Sequence, residues 1–376
     1  MNRIIILGST GTIGLQSSDV IEQNADKFKL IGLSCHNNIK LFRKQLERYS
    51  PLYAAISGKA DVASLKNEFP NITFFDGISA LNDLVSVDEY DMAVVSIVGI
   101  AALVPTMKVI SKGKDLAIAS KEVLVAAGHL VYKELSVSKT TLYPIDSEHV
   151  AISLCMRGYQ KKDIKNIVLT ASGGPFWNTA DVSKVTIKDA LNHPNWAMGK
   201  KISIDSATMI NKGLEVIEAH WLFGQEYDKI KVIIHPQSIV HGMVEYVNGA
   251  MVSQLSVPDM RMPILYALSR GEILRYQNSN LQLVGKQLDF FEPDLKKFKG
   301  LALAYEAGIL GGSNPAYFNS ANEEAVSLFL NERCSFLQIT ELVDRAMSSH
   351  SRISNPSLEV ILEVDREARA KVRELC

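Results

Sequence analysis

Through about residue 145, short apolar runs alternate with amphipathic stretches along the chain. The runs at 4–7, 30–34, 53–56, 92–98, 116–119 and 141–145 show little polar alternation and read as strands buried on both faces. Between them apolar positions recur at helical spacing, as in 39–49, IKLFRKQLERY. Strands and helices alternating in this order predict a doubly wound parallel sheet. After Pro144 the pattern changes: strand candidates at 167–170, 232–234, 239–247 and 250–257 are separated by longer polar segments. Tyr246-Val247-Asn248-Gly249 marks a hairpin, because Asn-Gly adopts the positive φ angles of a tight turn. From Asn278 to Lys299 periodicity is poor, and the segment reads as a surface linker. Beyond Leu301 the apolar spacing is helical again. The expected organisation is therefore a nucleotide-binding α/β domain at 1–146, an α+β catalytic domain at 147–270, a linker at 271–300 and a helical domain at 301–376.

Length and composition narrow the function classes. A chain of 376 residues implies two or three domains. A formal net charge of −1 supplies no basic field for nucleic acid or an anionic membrane. No apolar run approaches the roughly 18 residues of a membrane span. The four cysteines form no CxxC pair and no zinc spacing, which fits packing residues in a reducing compartment. A cytoplasmic location is expected.

The first strand ends in Gly8-Ser9-Thr10-Gly11-Thr12-Ile13-Gly14, ahead of a helical stretch. Glycines there let backbone approach a pyrophosphate, and the helix start offers unpaired N–H groups; a plain tight turn is the other reading. The arrangement points to a Rossmann-like nucleotide fold. The second strand ends Ser34-Cys35-His36-Asn37-Asn38 without the carboxylate that accepts from an NAD ribose, which favours NADPH. His36, Lys40 and Arg43 are the candidates to face a 2′-phosphate, or else an exposed loop and helix face.

Asp146 and Glu148 follow a strand at Pro144-Ile145. If the segment stays extended they project on one side, and a hard divalent cation or a shared proton would relieve their repulsion. A solvated loop is the alternative. In Ser203–215, one of Asp205, Ser206 and Thr208 is expected to cap a helix running to about Phe223, with Ser206, Asn211 and Lys212 forming a phosphate cradle. Glu215 lies four positions after Asn211, on the same helix face, and could supply a third carboxylate; Glu218 reads as solvent-facing. Ser172-Gly173-Gly174 exposes backbone N–H groups to an anion. Trp196 and Met198 lie in a polar stretch that is either a lid over substrate or a loop anchored on the core. His235 and His241 read as packing residues.

These segments together resemble the 1-deoxy-D-xylulose 5-phosphate reductoisomerase family, in GSTGTIG (8–14), SKEVLVAAG (120–128), PIDSEH (144–149), ASGGPF (171–176), 193–223, HPQSIVHGMVEY (235–246), PDMRMPI (258–264) and FNSANEEAV (318–326). The resemblance implies NADPH-dependent rearrangement and reduction of a phosphorylated sugar, with one Mg²⁺ or Mn²⁺ per site, by a homodimer. It implies Asp146, Glu148 and Glu215 as metal ligands. Ser172, Ser206, Asn211 and Lys212 correspond to the phosphate site, with Ser147, Lys121 and His193 around the substrate's oxygens. It places Trp196 and Met198 on a flap. Gly8, Thr10, Gly11, Thr12, Ile13, His36, Asn37, Asn38, Ser120, Lys121, Glu122 and Gly199 fall at the cofactor. The chain departs from the family pattern at Ser120, often Asn, at His36-Asn37-Asn38, often Gly-Lys-Asn, and at Val150, often Asn. A different NADPH dehydrogenase of a phosphorylated small molecule would share turn and cradle but work without metal.

Overall fold

Ile4, Ile5, Ile6 and Leu7 are completely buried because the strand that carries them, β1 (Asn2–Leu7), runs through the middle of a sheet. This computed structural model describes residues 1–376 except Ala197 and 277–279. After β1 come α1 (Thr12–Gln23), β2 (Phe28–Cys35), α2 (Ile39–Tyr49), β3 (Tyr53–Ile56), α3 (Val62–Glu68), β4 (Thr73–Asp76), α4 (Ala80–Ser86), β5 (Met92–Val95), α5 (Leu103–Ser111), β6 (Asp115–Ile118), α6 (Lys121–Leu135) and β7 (Leu142–Pro144). The seven strands lie in the order β4-β3-β2-β1-β5-β6-β7, and every pairing is parallel. Strand order reverses on either side of β1, which makes its carboxyl end the switch point where such sheets bind ligands.

Next follow α7 (Ser147–Cys155), β8 (Ile164–Ala171), α8 (Ile187–Leu191), α9 (Lys200–Ala207), α10 (Ile210–Phe223), β9 (Ile230–Ile234), β10 (Val240–Tyr246) and β11 (Met251–Leu255). Their sheet has the order β11-β10-β8-β9. It is mixed, with β8 and β9 parallel and the other pairs antiparallel. The hairpin between β10 and β11 turns at Gly249, φ 84°, as its Asn-Gly predicts. The chain then forms α11 (Arg261–Leu268), α12 (Lys299–Leu310), α13 (Asn314–Leu330), α14 (Phe336–Ser348) and α15 (Leu358–Leu375).

Two compact units result. One comprises Met1–Val123, Val131–Asp146 and Asp259–Tyr276; the other comprises Leu124–Leu130, Ser147–Pro258 and Gln277–Cys376. Helix α11, which the sequence places in the middle domain, thus belongs with the first sheet. Its Ile264, Leu265, Ala267 and Leu268 enter the core formed by Ile4, Leu33 and Val94, and Arg261 pairs with Asp19 of α1 at 2.6 Å. Helices α12 to α15 share a unit with the second sheet, Leu301 and Phe298 packing with Ile167 and Val232. The linker expected at 271–300 is not one segment: residues 271–276 belong to the first unit, and 277–279 lie outside the described residues. Its later part touches the sheet through Phe291, which exchanges backbone hydrogen bonds with Ile234 of edge strand β9. Cys35 and Cys155 are packing residues: burial lifts their thiols to about 12 and about 11.

Candidate active site

The glycine turn is built against the carboxyl ends of three neighbouring strands. Gly8 has φ 87°, and a Cβ on it would fall 2.6 Å from the carbonyl oxygen of Ser96. Its N–H donates to Ser34 Oγ at 2.9 Å, and the N–H of Ser9 donates to the Ser34 carbonyl at 2.8 Å. Gly14 lets α1 start close against the turn, since a Cβ there would sit 2.3 Å from the Gly8 oxygen. Gly11 and Thr12 are exposed at the start of α1, with Thr10 and Ile13 partly so. No side chain caps this helix and its first turn is free of acid, so its amides and dipole suit an anion.

Around the turn, the other cofactor candidates divide. Ser120 is buried, and its hydroxyl is spent on the Ile97 carbonyl at 2.6 Å. Glu122 is buried in the first turn of α6. His36, Asn37 and Asn38 are exposed beyond β2. His36 Nδ1 lies 3.1 Å from Ser57 Oγ, and Asn38 caps α2 by accepting from the Leu41 N–H. Arg43 faces Glu68 at 2.9 Å, which leaves His36 and Lys40 as the basic candidates on this rim.

The carboxylates are placed differently from the extended segment expected. Asp146 lies two residues beyond β7, and Ser147 already begins α7, so Glu148 stands in a first helical turn. The helix, rather than a strand's alternation, orients it. Glu148 and Glu215 each offer a carboxylate oxygen, and these lie within 4.8 Å of one another; Asp146 stands two residues before Glu148 in the chain. Lysines balance them. Lys121 pairs with Asp146; Lys212 bridges Glu148, at 2.6 Å, and Glu215. Asn211 Nδ2 donates to Glu215 Oε1 at 2.5 Å, as their spacing predicts. The hydroxyl of Ser147 donates to Glu148. Glu215 is 1% exposed, a position where a carboxylate is stable only with compensating cations or donors. Glu218, expected to face solvent, is 3% exposed, because that side of α10 is buried; one of its oxygens lies 3.9 Å from His149 Nδ1.

The single helix expected up to Phe223 is instead two, α9 and α10, broken at Met209 with φ 62°. None of Asp205, Ser206 and Thr208 caps α10: Thr208 returns its hydroxyl to the carbonyl of Ile204. Ser206 lies in the last turn of α9, half-buried, while Asn211 and Lys212 occupy the first turn of α10. Gly173 and Gly174 both have positive φ, 81° and 68°, and a Cβ on Gly174 would fall 2.6 Å from the Ser206 oxygen. That close approach brings the Ser172 turn beside α9. Ser172 Oγ lies 2.9 Å from His193 Nε2. The Nδ1 atom of His193 accepts from the N–H groups of Asn195, at 3.2 Å, and Trp196, at 3.1 Å. Nε2 therefore carries the proton and donates to the serine. Burial lowers His193 to about 4, which keeps it neutral. Asn195 is tied to the Pro236 carbonyl at 2.6 Å, and the Trp196 ring meets His241 edge-on at 6.1 Å. Met198 is half-buried and Gly199 precedes α9; Ala197 between them lies outside the described residues.

Three family models match along the chain: 1-deoxy-D-xylulose 5-phosphate reductoisomerase over residues 4–128, the C-terminal domain of that enzyme over 142–223, and a DXP reductoisomerase C-terminal domain over 255–371. The 1-deoxy-D-xylulose 5-phosphate reductoisomerase of Thermoanaerobacter pseudethanolicus is 47% identical over 378 residues, covering 99% of this chain and 98% of the relative. The chain belongs to the 1-deoxy-D-xylulose 5-phosphate reductoisomerase family. That of Listeria innocua is 45% identical, covering all of both. Among solved structures, the Zymomonas mobilis reductoisomerase in complex with NADPH superposes with a TM-score of 0.90 at 37% identity, over 100% of this chain and 98% of the other. A reductoisomerase in complex with NADPH, fosmidomycin and magnesium gives 0.92 at 35% identity, over 100% and 99%.

Several residues that build the site escaped the sequence reading. Gln45 of α2 is buried and exchanges two hydrogen bonds with Ser9, each of 2.8 Å, locking the turn to that helix. Ser34 and Ser96 hold the turn from either side. Asn195 and His241 hold the flap segment. The available signal was a polar residue inside an apolar stripe, such as Gln45 between Phe42 and Leu46, both fully buried.

Proposed function

We propose that Asp146, Glu148 and Glu215 hold one divalent cation, magnesium or manganese, and that Ser172, Ser206, Asn211 and Lys212 take a phosphate beside it. The enzyme itself is an NADPH-dependent oxidoreductase of its family, converting 1-deoxy-D-xylulose 5-phosphate to 2-C-methyl-D-erythritol 4-phosphate in isoprenoid precursor synthesis. One observation carries the metal assignment. Glu148 and Glu215 converge within 4.8 Å on the ammonium of Lys212, which occupies the position of a counter-cation between them, and Asp146, paired with Lys121, precedes Glu148 by two residues. An all-oxygen donor set of this kind suits a hard cation rather than zinc.

When bound, the cation supplies Lewis acidity to vicinal substrate oxygens and NADPH supplies the hydride. The remaining work falls to the chain's own groups. With Asp146, Glu148 and Glu215 holding a cation, the Lys212 ammonium would be released from their charge balance to serve the phosphate, next to Asn211 at the start of α10. Lys121, beside Asp146, is placed to bind or protonate a substrate oxygen. Neutral His193 organises the flap: its unprotonated nitrogen holds two backbone amides of the 193–196 turn while the other ties that turn to Ser172. Trp196 and Met198 close over the substrate and exclude water. Binding energy from a phosphate remote from the reacting carbons then serves orientation. Thr10, Gly11, Thr12 and Ile13 take the cofactor's pyrophosphate, with Gly199 and Glu122 near it. A homodimer in the cytoplasm completes the reading; among the described residues no helix is long and apolar enough to cross a membrane.

The test is NADPH oxidation with the phosphorylated sugar, with and without Mn²⁺. Turnover that EDTA abolishes is expected, and turnover indifferent to EDTA would remove the metal. Glu215→Gln should bind Mn²⁺ more weakly in a calorimetric titration and lose about a hundredfold or more in rate. Wild-type Mn²⁺ affinity in that variant takes Glu215 out of the ligand set.

A further inference from the structure

We propose that Asn322, on the C-terminal helix α13, is a positioning residue of the phosphate site, acting through Asp205 to set the direction of Ser206. Helix α9 is only eight residues long and lacks a side-chain N-cap, and the chain breaks away from it at left-handed Met209, two residues past its end, so its own hydrogen bonds do not hold it in place. Tertiary contacts must. Ile204 and Ala207 are completely buried, but apolar contacts are non-directional and leave rotation about the helix axis soft. Asp205, 1% exposed, supplies direction: Oδ2 lies 2.8 Å from Lys201 Nζ one turn earlier, and Oδ1 accepts from Asn322 Nδ2 at 2.8 Å. Since a carboxylate only accepts, the nitrogen of that amide must face it.

Asn322 is completely buried on a helix whose neighbouring Phe318, Ala321, Ala325 and Val326 are core residues. Its Oδ1 makes no hydrogen bond, so its amide serves Asp205. An apolar side chain of similar size would fill the same space but leave Asp205 Oδ1 without its donor. What the amide adds is orientation. Ser206 is the next residue along α9, about 100° further round the helix, so a rotation that the Asn322–Asp205 bond prevents would swing the serine away from the Ser172 turn.

This inference rests on the phosphate-cradle reading, and the experiment separates the two. Steady-state kinetics of the full-length enzyme with metal are measured for Asn322→Leu, Asp205→Asn, Ser206→Ala and the double variant Asn322→Leu/Ser206→Ala. Asn322→Leu should raise KM for 1-deoxy-D-xylulose 5-phosphate about tenfold, with kcat and KM for NADPH within about twofold. Asp205→Asn keeps the shape while weakening both bonds, and should show the same split even where Asn322→Leu folds poorly. The double variant should be no worse than Ser206→Ala alone, because both changes remove one contact. Ser206→Ala with an unchanged substrate KM sinks the cradle and the inference together. An effect of Ser206→Ala without one from Asn322→Leu or Asp205→Asn overturns the inference alone. So do additive effects, or equal rises in both Michaelis constants.

Discussion

His193 shows how a single side chain can be fixed in one protonation state by what surrounds it. Burial holds it at about 4, against 6.5 for the free group, and both ring nitrogens are engaged in the neutral form. The sign of the linkage follows. Between pH 6.5 and 4 the unfolded chain binds a proton that the native chain refuses, so this contribution is complete above 6.5 and lost as pH falls through that window. His193→Gln, which cannot titrate, should narrow the difference in urea midpoint between pH 7 and pH 4.5; an unchanged difference would show that His193 does not carry it. At this scale, local spacing made some pairs legible: Asn211 and Glu215 meet as their four-residue separation requires. Glu218 and Asn322 were not legible, because a charged or amide residue inside an α-helix gives no sign of whether its face is covered. Only the packing of α10 and α13 decides it.

Elements were readable where the apolar period was long and unambiguous, as in α2, whose bounds coincide with those expected. Strand β4, Thr-Phe-Phe-Asp, is only four residues long, too short for its apolar pattern to announce a strand. The break between α9 and α10 was hidden, since nothing in Met209 announces a left-handed backbone. Glycine turns were legible, and one of them permits a test. Gly174→Ala carries two penalties: the strain of positive φ, about 1 to 2 kcal/mol, and a Cβ 2.6 Å from the Ser206 carbonyl oxygen. Gly158→Ala carries the first alone, having φ +81° and no atom within 4 Å of its Cβ. Both should lower thermal stability slightly. Gly174→Ala alone should also raise KM for the substrate, with KM for NADPH unchanged, since its clash falls on the serine cradle. Equal kinetics in the two variants would detach this turn from the substrate.

For the whole molecule, the decisive feature is that the first unit is not contiguous in sequence. The pattern of apolar runs placed its end near residue 146, because nothing in 259–276 signals that α11 returns to the first sheet. Yet Ile264, Leu265 and Leu268 are at most 3% exposed, inside a core shared with β1, β2 and β5. Burying three such side chains contributes about 5 to 9 kcal/mol, comparable with the roughly 5 to 15 kcal/mol by which a domain is stable at all. A fragment ending at Asp146 should therefore fail to melt cooperatively and bind NADPH weakly, although it contains the entire glycine turn. Joining residues 259–276 to it through a flexible linker should restore a cooperative transition and NADPH binding in the same titration. A fragment of residues 1–146 that melts cooperatively and binds NADPH as the joined form does would show that α11 covers the sheet without completing it.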